Sequence, residues 1–341
     1  MVDWAGLTHA YGSAADTPGH LAALASPDPD VRAHALNELC GSIYHQGTVY
    51  QATPHAVPIL AALLANPETP DRSLILELLW LLSTGGSYHE AHADLSIMAD
   101  TRDTPEYQAA MRQEQEWVAE LRLRLAEHLP LYLRLLGDPE TDVRLWASQL
   151  LSRFPQAAGA LEEPVKEAYR EEPDPAVRAN TLVALSRLGL PLPVRTRETP
   201  LEQLVRALLE GRCQAILPFL ESGDLAEEYS RLPATGEFDG DLARALGEAG
   251  PELRDRALDT LLKRVRGRKH WFDGVADGLL SLALAERSED LTPRQKEVVR
   301  LVALQAWPSP RGIYCNMVDV LQAHGLPTRL PEMEALLGAP L

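Results

Sequence analysis

The segment from His45 to Tyr50 is dense in hydrogen-bonding side chains and is the first candidate for a site. It lies between two stretches with helical patterns, 30–44 and 54–65, so we expect it to connect two helices. Gly47 lets the backbone turn sharply there. Binding residues gather in such loops, whereas a purely structural turn would use the same side chains to satisfy free backbone groups at the helix ends. We predict a partner-binding site that consists of Tyr44, His45, Gln46, Thr48, Tyr50 and His89.

A second histidine group, His89-Glu90-Ala91-His92, resembles half of the zinc-binding pattern His-Glu-x-x-His, which places two imidazoles on one helical face. Here the histidines are three residues apart, in a polar stretch (84–104) that we predict to be a loop. A metal site would need a further ligand such as His45 or Asp94. Solvated histidines are the commoner case, so we predict no metal ligands and no cofactor. The alternative is an enzyme or metal-dependent module centred on His45, Tyr50, His89 and His92.

One basic run, from Lys263 to Trp271, is a candidate for binding anions, with the tryptophan stacking on a base. The run also stands at the predicted end of a helix over 252–265. Cations favour the negative end of the helix dipole, and Gly267 provides a cap. Both parts of this helix-end pattern are present, so we interpret the run as structural. Nucleic-acid binding through 263–271 is the alternative.

Sequence motifs of the common enzyme classes are missing. The chain has no Walker loop, no Gly-x-Gly-x-x-Gly, no Gly-x-Ser-x-Gly and no paired-cysteine motif. We therefore predict that the protein is not an enzyme.

A short recurring pattern predicts the elements that must position these residues. Three stretches share an Asp-Pro pair followed by Val-Arg and then a small residue, beginning at Asp28, Asp138 and Asp174, and a looser copy begins at Pro251. Self-similarity at a period of 20–50 residues is typical of solenoids, and helical repeats of about 40 residues would give roughly seven to eight helical pairs here. No alternating strand pattern is visible. The sequence predicts an all-α fold, an α-α superhelix.

Each copy of the pattern also makes physical sense as the start of a helix. Asp28 can cap the free backbone N–H groups, and Pro29 suits the first turn because its missing donor costs nothing there. Val31, Ala35, Leu39 and Ile43 then recur at four-residue steps and predict one apolar face. Stacked copies would bring an aspartate of one repeat near an arginine of the next.

The pattern Asp-Pro-x-Val-Arg-x-x-Ala resembles the signature of HEAT and HEAT-like repeats, including those named after the phycobilisome lyases. The segment from His45 to Pro58 resembles part of a bacterial group of HEAT-repeat proteins without an assigned activity, and so does the stretch from Leu291 to Pro327. The resemblance implies a HEAT-like solenoid (armadillo-type fold) that acts as a scaffold. We expect repeats over 1–189, with the polar insertion near 84–104, and degenerate repeats over 190–341.

The remaining composition indicates a reduced, cytoplasmic protein. The three cysteines are far apart, which predicts no disulfide framework. The first residues lack a basic region followed by an apolar stretch, so we expect no signal peptide. The longest apolar run is too short to cross a bilayer, so we expect no membrane partner.

Charge suggests the kind of partner. The chain has a net charge of −17, and residues 1–100 hold two basic and eleven acidic side chains, a balance of −9. Acidic surfaces repel phosphate backbones and speed encounter with basic partners, although acidity also serves solubility alone. Nucleic acid is therefore disfavoured. We predict a scaffold that binds a protein partner through a concave acidic face, and one hypothesis is an inhibitor or immunity-like partner of a basic protein such as a nuclease.

Overall fold

The structure is a computed structural model that describes residues 2–92, 101–266, 271, 273–286, 290–307, 313 and 315–341. In this part of the chain it contains nineteen α-helices and two hairpins of two-residue strands. The predicted all-α class is confirmed. The chain divides into two compact units, Met1–Pro193 and Val194–Leu341.

The first unit contains ten of these helices and both hairpins. Strands β1 and β2 pair antiparallel, and so do β3 and β4. The strands are β1 (Thr8–His9), β2 (Gly12–Ser13), β3 (Tyr44–His45) and β4 (Thr48–Val49). The helices are α1 (Thr17–Ala23), α2 (Pro29–Ser42), α3 (Thr53–Ala65), α4 (Arg72–Thr84), α5 (Tyr88–Ala91), α6 (Pro105–Glu127), α7 (Leu129–Leu135), α8 (Thr141–Leu151), α9 (Ala158–Glu171) and α10 (Pro175–Arg187).

Helices of the first unit pack in two rows. Helix α2 contacts α4, α4 contacts α8, and α8 contacts α10, while α1 contacts α3 and α3 contacts α6. Leucine, isoleucine, valine and alanine side chains of both rows form one buried cluster. Burying such side chains stabilises the fold by about 1.5–3 kcal/mol for each large one. This packing fixes the positions of the loops at the helix ends.

The second unit is built in the same manner. Helix α12 contacts α14, α14 contacts α16, and α16 contacts α18. Its helices are α11 (Pro200–Leu209), α12 (Cys213–Ser222), α13 (Ala226–Ser230), α14 (Phe238–Gly247), α15 (Pro251–Val265), α16 (Asp273–Leu284), α17 (Pro293–Ala306), α18 (Cys315–Ala323) and α19 (Leu330–Leu337). Helices α14 and α16 approach closely at Gly240, where an added Cβ would lie 2.4 Å from the carbonyl oxygen of Gly274.

The capping prediction is confirmed at two of the three strong copies of the pattern. Asp28 and Asp174 each accept a hydrogen bond from the backbone N–H two residues later, and proline follows both. At the third copy the prediction needs correction, because α8 begins only at Thr141. Asp138 lies three residues before that helix, where its carboxylate accepts from the N–H of Glu140 at 3.0 Å.

The predicted apolar face of α2 is also only partly right. Ala35, Leu39 and Ile43 are buried, but Val31 is 42% exposed. Val31 lies in the first turn of the helix, where the row of neighbouring helices does not cover it. The apolar face therefore begins one turn later than the sequence suggests.

Ion pairs connect successive helices of the row formed by α2, α4, α8 and α10. Arg32 contacts Asp71 at 2.6 Å, and Arg72 contacts Asp138 at 2.7 Å. The third pair joins Arg144 to Glu172 at 2.8 Å. Each arginine lies near the start of one helix, and its carboxylate precedes the next helix of the row. A ladder is present, but it runs in the reverse sense to the prediction, from the arginine of one helix to the acid before the next, and its third acid is a glutamate two residues before the capping Asp174.

Within the described part of the chain, no helix combines the length and apolar character needed to cross a bilayer.

Candidate functional site

The segment predicted to be a site is the tight hairpin of β3 and β4, which connects α2 to α3. Tyr44 pairs with Val49, and His45 pairs with Thr48, so Gln46 and Gly47 form a two-residue turn. Both turn residues have positive φ, +49° and +87°, as a type I′ turn requires. Glycine accepts this conformation freely, whereas a glutamine there costs about 1–2 kcal/mol. A strained residue at an exposed tip is an observation that points to a functional role.

Threonine side chains fix the hairpin from inside. Thr48 is buried, and its hydroxyl donates to the His45 carbonyl at 2.7 Å. The same hydroxyl lies 2.9 Å from the Tyr50 hydroxyl. Thr53, at the start of α3, donates to the Ile43 carbonyl at 2.6 Å and accepts from the Tyr50 N–H at 2.9 Å. Thr48 thus orients Tyr50 and is itself shielded from solvent.

The end of α4 holds the hairpin on one side. Val49 donates its N–H to the Gly86 carbonyl at 3.1 Å, and Gly86 donates to the Gly47 carbonyl at 2.9 Å. Gly85 lies so close that an added Cβ would be 2.3 Å from a methyl group of Val49. Through these bonds, the backbone between α4 and α5 pairs with the hairpin. The hairpin is therefore a fixed part of the first unit.

Helix α5 carries His89 and is bound to α6 by a buried carboxylate. Glu114 of α6 accepts from the Ser87 hydroxyl at 2.7 Å and from the His89 backbone N–H at 2.9 Å. Its second oxygen accepts from Nδ1 of His89 at 2.7 Å. Tyr107 donates its hydroxyl to the His89 carbonyl at 2.6 Å. A carboxylate can only accept, so Nδ1 of His89 carries the proton of this bond.

The loop predicted over 84–104 therefore needs correction. Tyr88–Ala91 forms a short helix, α5, because Glu114 and the Ser87 side chain satisfy its first N–H groups. His92 follows this helix, and its ring lies 4.3 Å from that of Tyr88. Residues 93–100, including the suggested ligand Asp94, lie outside the described residues.

Tyrosines that the sequence prediction omitted flank the hairpin on both sides. Tyr11 follows β1, is 71% exposed, and packs edge-on against His45 with ring centroids 5.6 Å apart. Tyr88 lies on α5, which contacts the other strand of the hairpin, β4, and it is 36% exposed. Burial raises the pKa of the Tyr50 hydroxyl, the Thr48 bond lowers it, and Tyr88, Glu114 and Tyr11 raise it further. Tyr50 thus lies among groups from both sides. We call Tyr11, His45, Gln46, Tyr50 and Tyr88 the tyrosine–histidine surface.

The structure places the six predicted residues in two groups. Five belong to the hairpin or follow it directly, and the sixth, His89, lies on α5, which contacts β4. The ring of His45 contacts Tyr11, whereas the ring of His89 contacts Tyr88 and Tyr107. Glu114 is the partner that the sequence prediction missed. Its signal was a carboxylate on the apolar stripe of α6, in line with buried Val118, Leu121 and Leu125.

Residues 1–100, which include the hairpin, carry eleven acidic side chains and two basic ones. The two arginines among residues 1–100, Arg32 and Arg72, are both paired with carboxylates. Arg72 is buried, and it also contacts Glu140 at 2.6 Å. Of the exposed acids, Glu90 lies on α5, which contacts the hairpin, whereas Asp28, Asp30 and Glu68 lie at or before the starts of α2 and α4, at the other ends of these helices from the hairpin.

The two alternative sites are less well formed. In the basic run, Arg264 bonds to Asp239 and to the Leu220 carbonyl, and Arg266 bonds to Glu297. Arg264 and Arg266 thus bond to groups within the second unit. Residues 267–270 of the run lie outside the described residues. Over the described residues, no group of three His, Cys, Asp or Glu side chains is arranged to hold a metal ion.

No protein-family model matches the chain, and no curated protein matches it. Its function must be inferred from the residues and their geometry.

Proposed function

We propose that this chain is a non-enzymatic scaffold of HEAT-like repeats that binds a basic protein partner through the tyrosine–histidine surface of its first unit. The observation that carries the proposal is the strained, firmly anchored hairpin with exposed tyrosines on both sides, in a segment whose arginines are already paired.

The HEAT-like part of the proposal is supported by the packing within each unit. Helices that are not consecutive along the chain, such as α2 and α4 or α12 and α14, contact one another in a row, as stacked helical pairs would. The arginine ladder repeats the same pairing at successive helices of the first row. Cys40 and Cys213 are free thiols, which fits the proposed cytoplasmic location.

Tyrosine is well suited to a protein interface. It provides a large contact area with few rotatable bonds and a hydroxyl for hydrogen bonding, and it is enriched among the residues that dominate binding energy. Tyr11 and Tyr88 offer such side chains to solvent, while Tyr50 is held between them by Thr48. A preformed backbone reduces the entropy lost on binding. The anchored hairpin meets this condition.

The negative charge gives the partner its sign. A strongly acidic protein attracts a basic protein over a distance, accelerates their encounter and disfavours acidic partners. One specific form of the proposal is an inhibitor or immunity-like partner of a basic protein such as a nuclease. Neutralising a basic active surface needs an acidic surface with rigid aromatic contacts, and this segment has both.

Site-specific photo-crosslinking tests the proposal. A photoreactive residue replaces Gln46 at the hairpin tip, and a second version carries it at Ala160, an exposed position of α9 in the same unit. Each protein is illuminated in lysate of the native host, and the products are identified by mass spectrometry. We expect a basic protein to crosslink at position 46 and not at position 160. The yield should fall at about 1 M salt, where charges are screened beyond about 3 Å.

A matched variant makes the result specific. The Tyr11→Ser/Tyr88→Ser double variant removes two exposed rings and should keep its thermal midpoint. The yield of the crosslink at position 46 should fall about tenfold or more in this variant, because each of two interface tyrosines contributes more than 1 kcal/mol to the binding free energy. The same products at positions 46 and 160, or an unchanged yield in the double variant, would contradict the proposal.

A second candidate function rests on the Glu114–His89 pair. A buried carboxylate that orients a histidine is also found where an imidazole transfers protons or binds a metal. Metal analysis of the purified protein, with a His89→Gln variant as control, tests this candidate. Stoichiometric zinc, iron or nickel that is lost in the variant would favour it over the scaffold.

A further inference from the structure

A separate cavity in the first unit is lined by positively charged side chains, although the protein is strongly acidic. It has a volume of about 550 Å³ and lies where the C-terminal part of α6 meets the ends of α4, α8 and α10. Its described lining includes three arginines and no carboxylate: Arg122, Arg153 and Arg187, together with Ser83, Leu125, Ser152, Phe154, Pro155 and Gln156. We call it the arginine pocket. The whole chain has 32 basic and 49 acidic side chains, so such a grouping requires an explanation.

The arginines of this pocket act on one another. Burial lowers the pKa of Arg153, and the charge of Arg122 lowers it further. Burial likewise lowers the pKa of Arg187, and Arg153 adds to the effect. Arginine nevertheless stays protonated at neutral pH. The three positive charges therefore repel one another across the pocket, and an anion between them would relieve this repulsion.

Hydrogen bonds from the interior hold two of these arginines in place. Arg153 donates to the Ser83 carbonyl at 3.2 Å. Arg187 donates to the buried Gln149 side chain, whose amide oxygen, when turned towards both donors, accepts from Arg187 at 3.0 Å and from Nε1 of Trp80 at 3.1 Å. Arginines fixed in this way lose less rotamer entropy when they bind a ligand.

The pocket also has an apolar side. Leu125 and Phe154, which line it, are themselves almost fully buried. Small-molecule sites of about 300–1,000 Å³ combine apolar walls with a few charged groups that fix orientation. This pocket has that size and composition. Its arginines are exposed, so a ligand can enter from solvent.

A neighbouring cavity provides a contrast. It has about 530 Å³ and lies between α7, α8 and α9, and its arginines are Arg134 and Arg144. Four carboxylates line it as well, and Arg144 is bonded to one of them, Glu172, through two atoms. Its four carboxylates outnumber its two arginines, so it offers no site for an anion.

We propose that the arginine pocket binds a small organic molecule that carries a phosphate or carboxylate group. Guanidinium groups bind these oxyanions through paired N–H donors, and three of them around one pocket suit a ligand with more than one negative charge. The apolar wall would contact the remainder of the ligand. This site is independent of the tyrosine–histidine surface.

Calorimetric titration of the full chain with pyrophosphate, citrate and chloride tests the proposal. The matched pair of variants is Arg122→Gln and Arg112→Gln, two exposed arginines of α6 of which only the first lines the pocket. We expect saturable binding of pyrophosphate or citrate by the wild type and by Arg112→Gln. Arg122→Gln and Arg153→Gln should bind about tenfold more weakly, because each loses a charge-assisted hydrogen bond. Preference between the two probes distinguishes phosphate from carboxylate ligands.

Thermal unfolding is the second measurement. The probe that binds should raise the midpoint of the wild type and of Arg112→Gln, and it should raise those of Arg122→Gln and Arg153→Gln less. Absence of binding up to about 10 mM probe, or equal affinity in all four proteins, would overturn the proposal. A single-stranded oligonucleotide that binds the wild type while neither small anion does would also overturn it, in favour of a nucleic-acid surface.

Discussion

At the scale of single residues, Gln46 is the position where stability and function are expected to conflict. Its φ of +49° occurs at a turn position where asparagine or glycine is normally found. Replacing it with glycine removes the cost of the left-handed conformation but adds backbone entropy to the unfolded chain. We expect Gln46→Gly to raise the free energy of unfolding by about 0.5–1 kcal/mol, measured by urea denaturation.

The neighbouring Gly47 is the control for this prediction. Its φ is +87°, and an added Cβ would meet no atom within 4 Å, so Gly47→Ala tests the backbone alone. We expect a loss of about 1–2 kcal/mol. If both substitutions lower stability, the glutamine side chain makes a stabilising contact and the strain at position 46 is not the dominant effect.

At the scale of elements, the arginine ladder permits a comparison of one motif in two environments. Arg72 and Asp138 have side chains only 4% and 7% exposed, whereas Asp71, the partner of Arg32, is 46% exposed. Removing one member of a buried pair leaves an uncompensated charge and costs about 3–5 kcal/mol. A partly exposed pair contributes about 1 kcal/mol or less. We expect Arg72→Met to be far more destabilising than Arg32→Met in urea titrations followed by circular dichroism.

The double variant Arg72→Met/Asp138→Leu sharpens the comparison. It removes both charges, so it should recover much of the stability that Arg72→Met loses. Equal losses in Arg72→Met and Arg32→Met would mean that the position in the ladder, and not burial, determines the contribution.

The helix starts, helix α5 and the hairpin differ in how well the sequence predicts them. Helix starts were predictable at Asp28 and Asp174 because a capping side chain and a following proline act locally. Helix α5 was not predicted, since this four-residue helix depends on Glu114, which lies 25 positions from His89 and accepts the His89 N–H. The hairpin was hidden because Gln-Gly is a rare type I′ turn.

The candidate sites were predictable to different extents for the same reason. The hydrogen-bonding residues of the hairpin lie within one short segment, so the cluster can be recognised in the sequence. Tyr11 and Tyr88 are brought to the hairpin by tertiary packing. The arginine pocket draws on Arg122, Arg153 and Arg187, which are more than 30 residues apart from one another along the chain, and nothing local marks them.

At the scale of the whole molecule, the net charge of −17 raises the question of whether acidity itself limits stability. Self-repulsion destabilises a compact state. Burial of the Glu77 carboxyl in α4 also lowers the stability of the folded state, because burial raises the pKa of this carboxyl. Its folded pKa then lies above the unfolded one, so the ionised group destabilises the protein progressively as pH rises through this interval.

The substitution Glu77→Gln separates these two effects when it is compared with Glu68→Gln. Both remove one negative charge, but Glu68 is exposed in the loop before α4. We expect Glu77→Gln to raise the urea midpoint at pH 7 and the gain to vanish below about pH 4, where the wild-type carboxyl is protonated in both states. Glu68→Gln should change the midpoint little at either pH. Equal gains from both variants at pH 7, abolished by about 1 M salt, would instead assign the cost to repulsion over the whole chain. The acidic surface would then lower stability throughout the molecule, as expected if it is retained for binding a basic partner.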